Sequence, residues 1–454
     1  MAAAAPVRHS PKLWRQNSYE DHRVRGRFKL MTTSDATGAR AFGLSRWSGV
    51  TLAALGLAVA LAGALAYRAL TEAGGSNSYA LLADAFLHGR FDSPTCFDID
   101  CARYMQRIFV IFPPVPALFA MPLVALFGPD TSGFLIVSGL LLAGVAWTWS
   151  AIGERLGLMR EARIWTTAAF VFGTPAFYVT LRGDDVWFFA QIVGLLLVSL
   201  AVLASLDRRL WLAGALIGLA FLSRQMTLLL APFLFALSRP QGSRLIAFDR
   251  ATILDALKIG LPLAAALGVY FAYNWARFGS PLDTGYGYIA AYPDEARRTF
   301  ITFRMEDIGL FSKDYLLFNA LHLFVQGFHA EFGGRYMTEL VRMDPMGTSL
   351  FAASPFLLFA FYARRDARLL AGALVIAAIA GVTLFYHSNG FAQHNVQRYA
   401  LDWLPALYLL LLPALAGASD RVDERLKMFK LLAVYAFALN VVAFGIAGVT
   451  KGAI

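Results

Sequence analysis

Apolar blocks long enough to cross a lipid bilayer recur along most of this chain. A bilayer core requires about 20 apolar residues per helix, and residues 47–70 form the first such block. Of the 454 residues, 58% are hydrophobic and 15% are charged, whereas soluble domains have about 25% charged residues. The sequence therefore predicts an all-α membrane protein.

The chain divides into a polar tail and one apolar domain. Residues 1–46 are rich in arginine and too long to precede the apolar core of a cleaved signal peptide, so we expect a flexible cytoplasmic tail. Met31 is an alternative start to Met1. Residues 47–454 are predicted to form a polytopic transmembrane domain with two long outer loops, 71–132 and 277–347.

One apolar block has two interpretations. Residues 109–128 contain four prolines, and counting this block as a crossing would put several basic loops on the outer side. Basic loops normally face the cytoplasm, so we favour an interfacial or re-entrant segment on the outer face. The predicted crossings number about eleven and are 47–70, 133–152, 164–181, 186–206, 211–222, 227–237, 259–276, 348–361, 369–386, 401–415 and 431–449. Two of them, 211–222 and 227–237, are too short for full-length membrane helices, so we expect a hairpin of short helices there.

The distribution of charge agrees with this topology. Cytoplasmic segments sum to about +13 and outer segments to about −4, which places the N-terminus in the cytoplasm. The formal net charge of +10 is spread between apolar blocks and never forms a basic domain. Binding of nucleic acid is therefore not expected.

The two cysteines, Cys96 and Cys101, lie in the first outer loop. They lack the spacing of a structural zinc site. In an oxidising compartment they could form a disulfide, although spacing alone leaves this open. Asp98 and Asp100, close to Cys101, are explained by a solvated loop.

Carboxylates on the outer side are the candidate catalytic groups, because a partly desolvated carboxylate can deprotonate an acceptor hydroxyl. Asp184 and Asp185 lie in the short loop RGDD between two crossings, where one of them could instead cap the next helix. Glu72 ends the first crossing, where a polar residue is also ordinary. Asp84 could form a surface pair with His88.

Further polar residues suggest a binding cavity. The segment SNSYALLADAFLHGRF has helical spacing, with Tyr79 on one face and Asn77, Asp84 and His88 roughly on the other. We expect an amphipathic helix at the outer membrane surface. Its polar face would then be available to a cavity.

Two arginines are candidates for binding a phosphate, because a guanidinium keeps its charge in a poorly hydrated site. Arg224 lies at the tip of a short helix pair, and its alternative role is an ion pair with Asp184 or Asp185. Arg398 begins a crossing from the outer side, where it could also extend to the interface. Gln393 and His394 lie close to Arg398 in sequence and complete the predicted pocket.

An ordered series of motifs resembles the GT-C superfamily of polytopic glycosyltransferases. The resemblance covers roughly residues 47–415 and is carried by YALLADAFLHGRF, FPPVPALFAMPLVALFG, RLGLMREAR, GDDVWFFAQ, GLAFLSRQMTLLLAPF, NWARFGSPLDTGYGY and QRYALDWLPALYLLL. Asp185 matches the acidic residue of the second outer loop. Many members have an acidic motif before the first-loop tyrosine, where this chain reads GGSNSY, and Glu72 and Asp84 are the nearby substitutes.

The resemblance implies a function and a location. It implies a GT-C-like bundle that transfers a sugar, with inversion, from a polyprenyl-phosphate-linked donor to a glycan, lipid or protein acceptor. The implied reaction requires no cofactor. A divalent metal ion is possible, but the sequence gives no support for one. We expect a bacterial inner membrane location with an extracytoplasmic active site. The alternative is a transporter or flippase for a lipid-linked glycan or small solute.

Overall fold

The structure, a computed structural model, describes residues 48–98, 100–240, 247–289, 300–343, 347–363, 366–388 and 397–449. The α-helices in the first part of the chain are α1 (Gly49–Leu70), α2 (Ser78–Leu87), α3 (Val115–Phe127), α4 (Phe134–Arg155), α5 (Arg160–Gly173), α6 (Pro175–Leu181), α7 (Val186–Leu206), α8 (Leu210–Phe221) and α9 (Ala231–Ser238). Those that follow are α10 (Arg250–Phe278), α11 (Phe300–Phe303), α12 (Leu316–Ala320), α13 (Leu350–Ala353), α14 (Ala367–Phe385), α15 (Leu404–Leu411) and α16 (Asp420–Val449).

Short irregular elements extend several of these helices. The 3-10 helices are Gln225–Leu230, Tyr286–Tyr288, Lys313–Tyr315, Pro355–Tyr362, Arg398–Asp402 and Leu412–Leu415. The π-helices are Arg304–Ile308 and Leu321–Val325. Two antiparallel hairpins, which we did not predict, lie in the long loops and are formed by β1 (Cys101–Tyr104), β2 (Arg107–Val110), β3 (Ala330–Gly333) and β4 (Glu339–Met343).

Six helices in the described part of the chain are long and apolar enough to cross a membrane, namely α1, α4, α7, α10, α14 and α16. A seventh span is possible if α5 and α6 are counted together, with a bend of 51° between them. The bend follows from Pro175 at the start of α6, because proline cannot continue the hydrogen bonding of α5. The prediction of a polytopic helical membrane protein is confirmed.

The predicted count of eleven crossings is not confirmed. Seven of the predicted blocks coincide with the six long helices and the bent pair. The other four, 211–222, 227–237, 348–361 and 401–415, coincide with shorter helical segments that include α8, α9, α13 and α15. That each of these four segments crosses the membrane remains a prediction.

The proline-containing block forms β2 and then α3. The 13 residues of α3 extend over about 20 Å at the usual helical rise, which is less than the roughly 30 Å of a bilayer core. Pro122 lies inside α3. Both features agree with a segment that does not cross the membrane, and α3 packs against α2 on the side where the candidate residues lie.

Helix α7 forms the centre of the bundle, because 83% of its most apolar stretch of 18 residues is buried inside the protein. It packs between α4 and α8, and α8 in turn packs on α10. The last contact is very close, because a Cβ atom on Gly214 would lie 2.6 Å from the carbonyl oxygen of Ile259. The candidate residues gather around the N-terminus of α7, at one end of this bundle.

We expect Gly214→Ala to destabilise the protein by about 1 to 3 kcal/mol, because the added methyl group overpacks the contact between α8 and α10. Gly260→Ala is the control, since a Cβ atom at Gly260 on α10 meets nothing within 4 Å. Thermal unfolding of both variants in detergent measures the difference. Equal melting temperatures would show that α8 and α10 are not packed this closely.

Candidate functional site

Glu72 lies just after α1 and caps α4. Its two carboxylate oxygens accept hydrogen bonds from the backbone N–H groups of Phe134, at 2.8 Å, and Leu135, at 3.0 Å. These N–H groups have no partner inside the helix, and a negative charge at this end is favourable. The structure therefore gives Glu72 a capping role.

The loop RGDD separates its two carboxylates. Asp184 forms an ion pair with Arg68 of α1, with 2.7 Å between the Arg68 nitrogen and the Asp184 oxygen. Asp185 accepts a hydrogen bond from the backbone N–H of Trp187 and so caps α7, and it lies 3.5 Å from Arg182. Asp185 therefore has the helix-capping role that was the alternative for this pair.

Asn77 and Asp84 lie at opposite ends of α2. Asn77 is buried, caps α2 through the backbone N–H of Tyr79, and donates a hydrogen bond to the carbonyl oxygen of Gly183. Asp84 lies 3.4 Å from His88 and 3.5 Å from Arg90, and His88 is largely exposed. Asp84 thus has the surface pairing considered above, whereas Asn77 joins α2 to the RGDD loop.

Tyr79 is fully buried. Its ring lies 6.0 Å from that of Phe112 and 6.1 Å from that of Phe189. Its hydroxyl group has no hydrogen-bond partner among the described residues. Helix α2 is buried on more sides than a surface helix would be, because α3 and the start of α7 cover it.

Asp100 belongs to the same cluster, although the sequence suggested that it was solvated. Its carboxylate accepts a hydrogen bond from the indole Nε1 of Trp187, at 2.5 Å. Its backbone N–H donates a hydrogen bond to Asp98, at 2.8 Å. The loop is only partly solvated, because Cys96 and Cys101 form a disulfide that closes the segment, and Trp187 contacts Asp100. The sequence feature that could have indicated this arrangement is the pair of acidic residues between the two cysteines.

Arg398 is the cation at the centre of this cluster. Arg398 is only 7% exposed, and the Nε and Nη1 atoms of its guanidinium have no hydrogen-bond partner among the described residues. The guanidinium carbon lies 5.1 Å from the ring centres of Phe188 and Tyr399 and 5.8 Å from that of Trp187. Arg398 is therefore buried and does not extend to the membrane surface.

Arg224 has a different environment. Its Nε and Nη2 donate hydrogen bonds to both oxygens of Asp402, at 3.1 and 2.8 Å, and Asp402 is 3% exposed. An ion pair with Asp184 or Asp185 was expected as the alternative role, and the partner is instead Asp402. The sequence did not suggest Asp402, which lies far from Arg224 along the chain.

Burial changes the acidity of the two carboxyl groups beside Arg398. Burial raises the pKa of Asp185 to about 6, although the positive charges of Arg182 and Arg398 oppose the shift. Burial likewise raises the pKa of Asp100 to about 6, although the hydrogen bond from Trp187 opposes it. Arg398 acts on both carboxylates, so the three groups face one electrostatic environment. Two carboxyl groups of this kind can exchange protons near neutral pH.

Three tyrosine side chains adjoin the same region. Tyr399 lies under Arg224, with 5.2 Å between the guanidinium carbon and the ring centre. The rings of Tyr386 and Tyr399 are 6.4 Å apart. Tyr286 and Tyr386 each interact electrostatically with Asp100 and Arg224. Aromatic faces and hydroxyl groups thus border the carboxylates and the arginines.

Two residues of the predicted pocket, Gln393 and His394, lie outside the described residues.

The structure also contains an apolar cavity. It has a volume of about 620 Å³, lies between α1, α4, α5 and α6, and is lined largely by apolar side chains such as Leu135 and Phe177. It offers none of the carboxylates or arginines that carry the chemistry.

The atoms of Cys96, Asp98 and Cys101 lie within 4.8 Å of one another, which raises the question of a metal site. Both sulfur atoms belong to the disulfide, whereas metal ions bind thiolates. The group does not fit a metal ion in this state.

Comparison with known proteins gives likenesses to solved structures. No family model and no curated protein matches the chain. The apo oligosaccharyltransferase of Archaeoglobus fulgidus has a TM-score of 0.41 and 14% identity over 88% of this chain and 56% of that chain. ArnT from Cupriavidus metallidurans, bound to undecaprenyl phosphate, has a TM-score of 0.42 and 16% identity over 84% of this chain and 63% of that chain. A complex of the same oligosaccharyltransferase with Zn and sulfate has a TM-score of 0.41 and 16% identity over 89% of this chain and 53% of that chain.

The chain spans less than two thirds of the length of each of these proteins. At these TM-scores and identities the likenesses assign no family and no activity to this chain. The chemistry has to be inferred from the residues around Arg398.

We expect Glu72→Ala to lower stability by about 0.5 to 2 kcal/mol, because α4 loses its cap. Activity per folded molecule should persist, since Glu72 contacts backbone N–H groups and not the cluster around Arg398. Thermal unfolding and the transfer assay described below measure the two effects. Unchanged stability with lost activity would return Glu72 to the catalytic candidates.

Proposed function

We propose that this protein transfers a sugar from a polyprenyl-phosphate-linked donor to an acceptor hydroxyl group on the outer side of the membrane. The observation that carries the proposal is the buried guanidinium of Arg398, whose Nε and Nη1 have no hydrogen-bond partner among the described residues and which lies beside Asp100 and Asp185. A buried, unpaired cation is unfavourable. An anionic ligand would relieve this cost.

A phosphate group suits this position. The planar guanidinium donates parallel hydrogen bonds to phosphate oxygens and stays charged when poorly hydrated. Arg224 is already bound on two nitrogen atoms by Asp402, so we assign the principal contact with the donor phosphate to Arg398. Arg224 adds positive charge nearby. This charge stabilises the departing lipid phosphate as the bond to the sugar breaks.

The carboxylates supply the base. Asp100 binds Trp187 through Oδ2, and its Oδ1 has no hydrogen bond among the described residues. The acceptor oxygen attacks the anomeric carbon and passes its proton to Asp100. The bond from that carbon to the phosphate oxygen breaks, and the electron pair leaves with the polyprenyl phosphate. A single displacement of this kind inverts the anomeric configuration.

Asp185 supports this step from its position at the start of α7. It interacts with Arg182 and Arg398, so it orients the phosphate-binding arginine and balances its charge. Asp84, Asp184 and Glu72 are bound to other groups. We therefore rank them below Asp100 and Asp185 as catalytic acids.

The proposal also covers location and cofactors. The charge asymmetry of the loops supports a cytoplasmic N-terminus and an extracytoplasmic site, and the richness of the chain in alanine, leucine and arginine favours a bacterial inner membrane. We assign no cofactor to the reaction. Carboxylate oxygens such as those of Asp100 and Asp185 are ligands that divalent cations accept, so the assay includes a chelator arm. Loss of transfer on chelation would add a metal ion to the mechanism.

The test is transfer of radiolabelled sugar from polyprenyl-phosphate donors in proteoliposomes. Asp100→Asn should lower the rate about 100-fold or more, because the general base is lost, and Arg398→Gln should lower it by a similar factor. Asp92→Asn, which removes an acid from the same outer loop, is the control and should leave the rate near that of the wild type. Full activity of Asp100→Asn and Arg398→Gln would overturn the assignment.

A carrier is the competing class. Counterflow of an intact labelled lipid-linked substrate, with no covalent transfer from any donor, would establish it. Nothing in the cluster around Arg398 favours transport, since its carboxylates and arginines lie at one end of the bundle. Covalent product in the first assay would exclude a role limited to transport.

The pH dependence of the reaction follows from the raised pKa values of the two carboxyl groups. Because the pKa values of Asp100 and Asp185 are about 6, the base is ionised above this pH and protonated below it. We expect kcat/KM to fall about tenfold per pH unit below pH 6. Asp92→Asn should retain this limb and Asp100→Asn should lose it. A wild-type profile that is flat down to pH 4.5 would contradict the role of a buried base.

A further inference from the structure

The disulfide between Cys96 and Cys101 encloses the segment that carries Asp98 and Asp100. The two Cα atoms are 6.2 Å apart, and the chain has no other cysteine. Residues 95–98 and Asp100 belong to no regular helix or strand. The cross-link therefore holds a segment that backbone hydrogen bonding alone does not order.

Asp100 is bound to rigid parts of the molecule on both sides. Its carboxylate contacts Trp187 in the first turn of α7. The next residue, Cys101, begins β1 and pairs with Val110 of β2. The backbone N–H of Asp100 donates a hydrogen bond to the carboxylate of Asp98 inside the enclosed segment. The disulfide thus connects the start of the hairpin to the part of the loop that precedes Asp100.

Releasing this cross-link would favour movement of Asp100 toward water. A carboxylate that has lost part of its hydration is less stable than a fully hydrated one, and among the described residues the indole of Trp187 is the one side-chain donor that compensates Asp100 for this loss. Opening the loop gives the carboxylate access to solvent with little further cost. Arg398 lies on a different element, Arg398–Asp402, and has no bond to the enclosed segment among the described residues.

We propose that the Cys96–Cys101 disulfide positions Asp100 for the transfer reaction, so that the protein loses most of its activity when this pair is reduced. The proposal rests on the proposed function for its catalytic consequence. Reduction by a dithiol cleaves the S–S bond, adds two electrons and two protons to give two thiols, and converts the reductant to its own disulfide. In an oxidising compartment the pair remains bridged.

The first experiment separates position from binding. Cys96→Ser/Cys101→Ser should lower kcat roughly 10- to 100-fold, because a displacement of about 1 Å at a catalytic group has this effect. KM for the lipid-linked donor should change less than about threefold, since Arg398 is unaffected. The acid limb of the pH profile should move below pH 6, toward the ordinary aspartate pKa of about 4. An unchanged kcat and pH profile would overturn the proposal.

Reduction of the wild type provides the matched control. Dithiothreitol should lower kcat of the wild type to that of the double serine variant and should not affect the variant. Equal inhibition of both proteins would place the effect outside this disulfide. The melting temperatures of the two proteins show whether the whole bundle or only the loop has changed.

Hydrogen exchange supplies a readout that does not depend on catalysis. On reduction, exchange of the amides in residues 97–104 should accelerate, including that of Asp100, while exchange in α7 and α10 stays the same. Unchanged exchange in this segment would overturn the positioning role whatever the activity. If the oxidised wild type transfers sugar from no donor, the proposed function fails, and the exchange result still decides whether the disulfide orders Asp100.

Discussion

The short turn between α6 and α7 organises the end of the bundle at which the candidate residues lie. Asp184 pairs with Arg68 of α1, and the carbonyl oxygen of Gly183 accepts a hydrogen bond from Asn77 at the start of α2. A Cβ atom at Gly183 would lie 2.0 Å from the Ser138 hydroxyl of α4. Three helices, α1, α2 and α4, therefore contact the turn that joins α6 to α7. Only a glycine allows so close an approach.

The same turn places the charges of the candidate site. Asp185 caps α7, and Trp187, two residues later, binds the carboxylate of Asp100. Because the helices exclude water, each polar group here needs a partner or a strong reason to be buried. Arg224 has such a partner in Asp402. Arg398 has none among the described residues, and this asymmetry between two buried arginines is what indicates an anionic ligand.

Sequence reasoning was accurate for features that depend on local composition. The long apolar helices, the helix at Ser78–Leu87 and the short, proline-containing segment that includes α3 all follow from hydrophobicity, helix caps and proline geometry. It was less accurate for pairing. Asp402 and Arg224 are separated by 178 residues, and no pattern within one segment reveals such a contact. Asp100 was assigned to a solvated loop because the covering Trp187 lies on another helix.

The sequence by itself determined that the chain is a helical membrane protein, since the length of an apolar block and the position of basic residues respond directly to the bilayer. It also restricted the candidate acids to the outer loops. Only the tertiary structure decided which of them are buried together. Burial, and with it the raised pKa values of Asp100 and Asp185, depends on side chains that come from distant helices. The free energy of a charge depends on everything packed around it, and this is not encoded in its own segment.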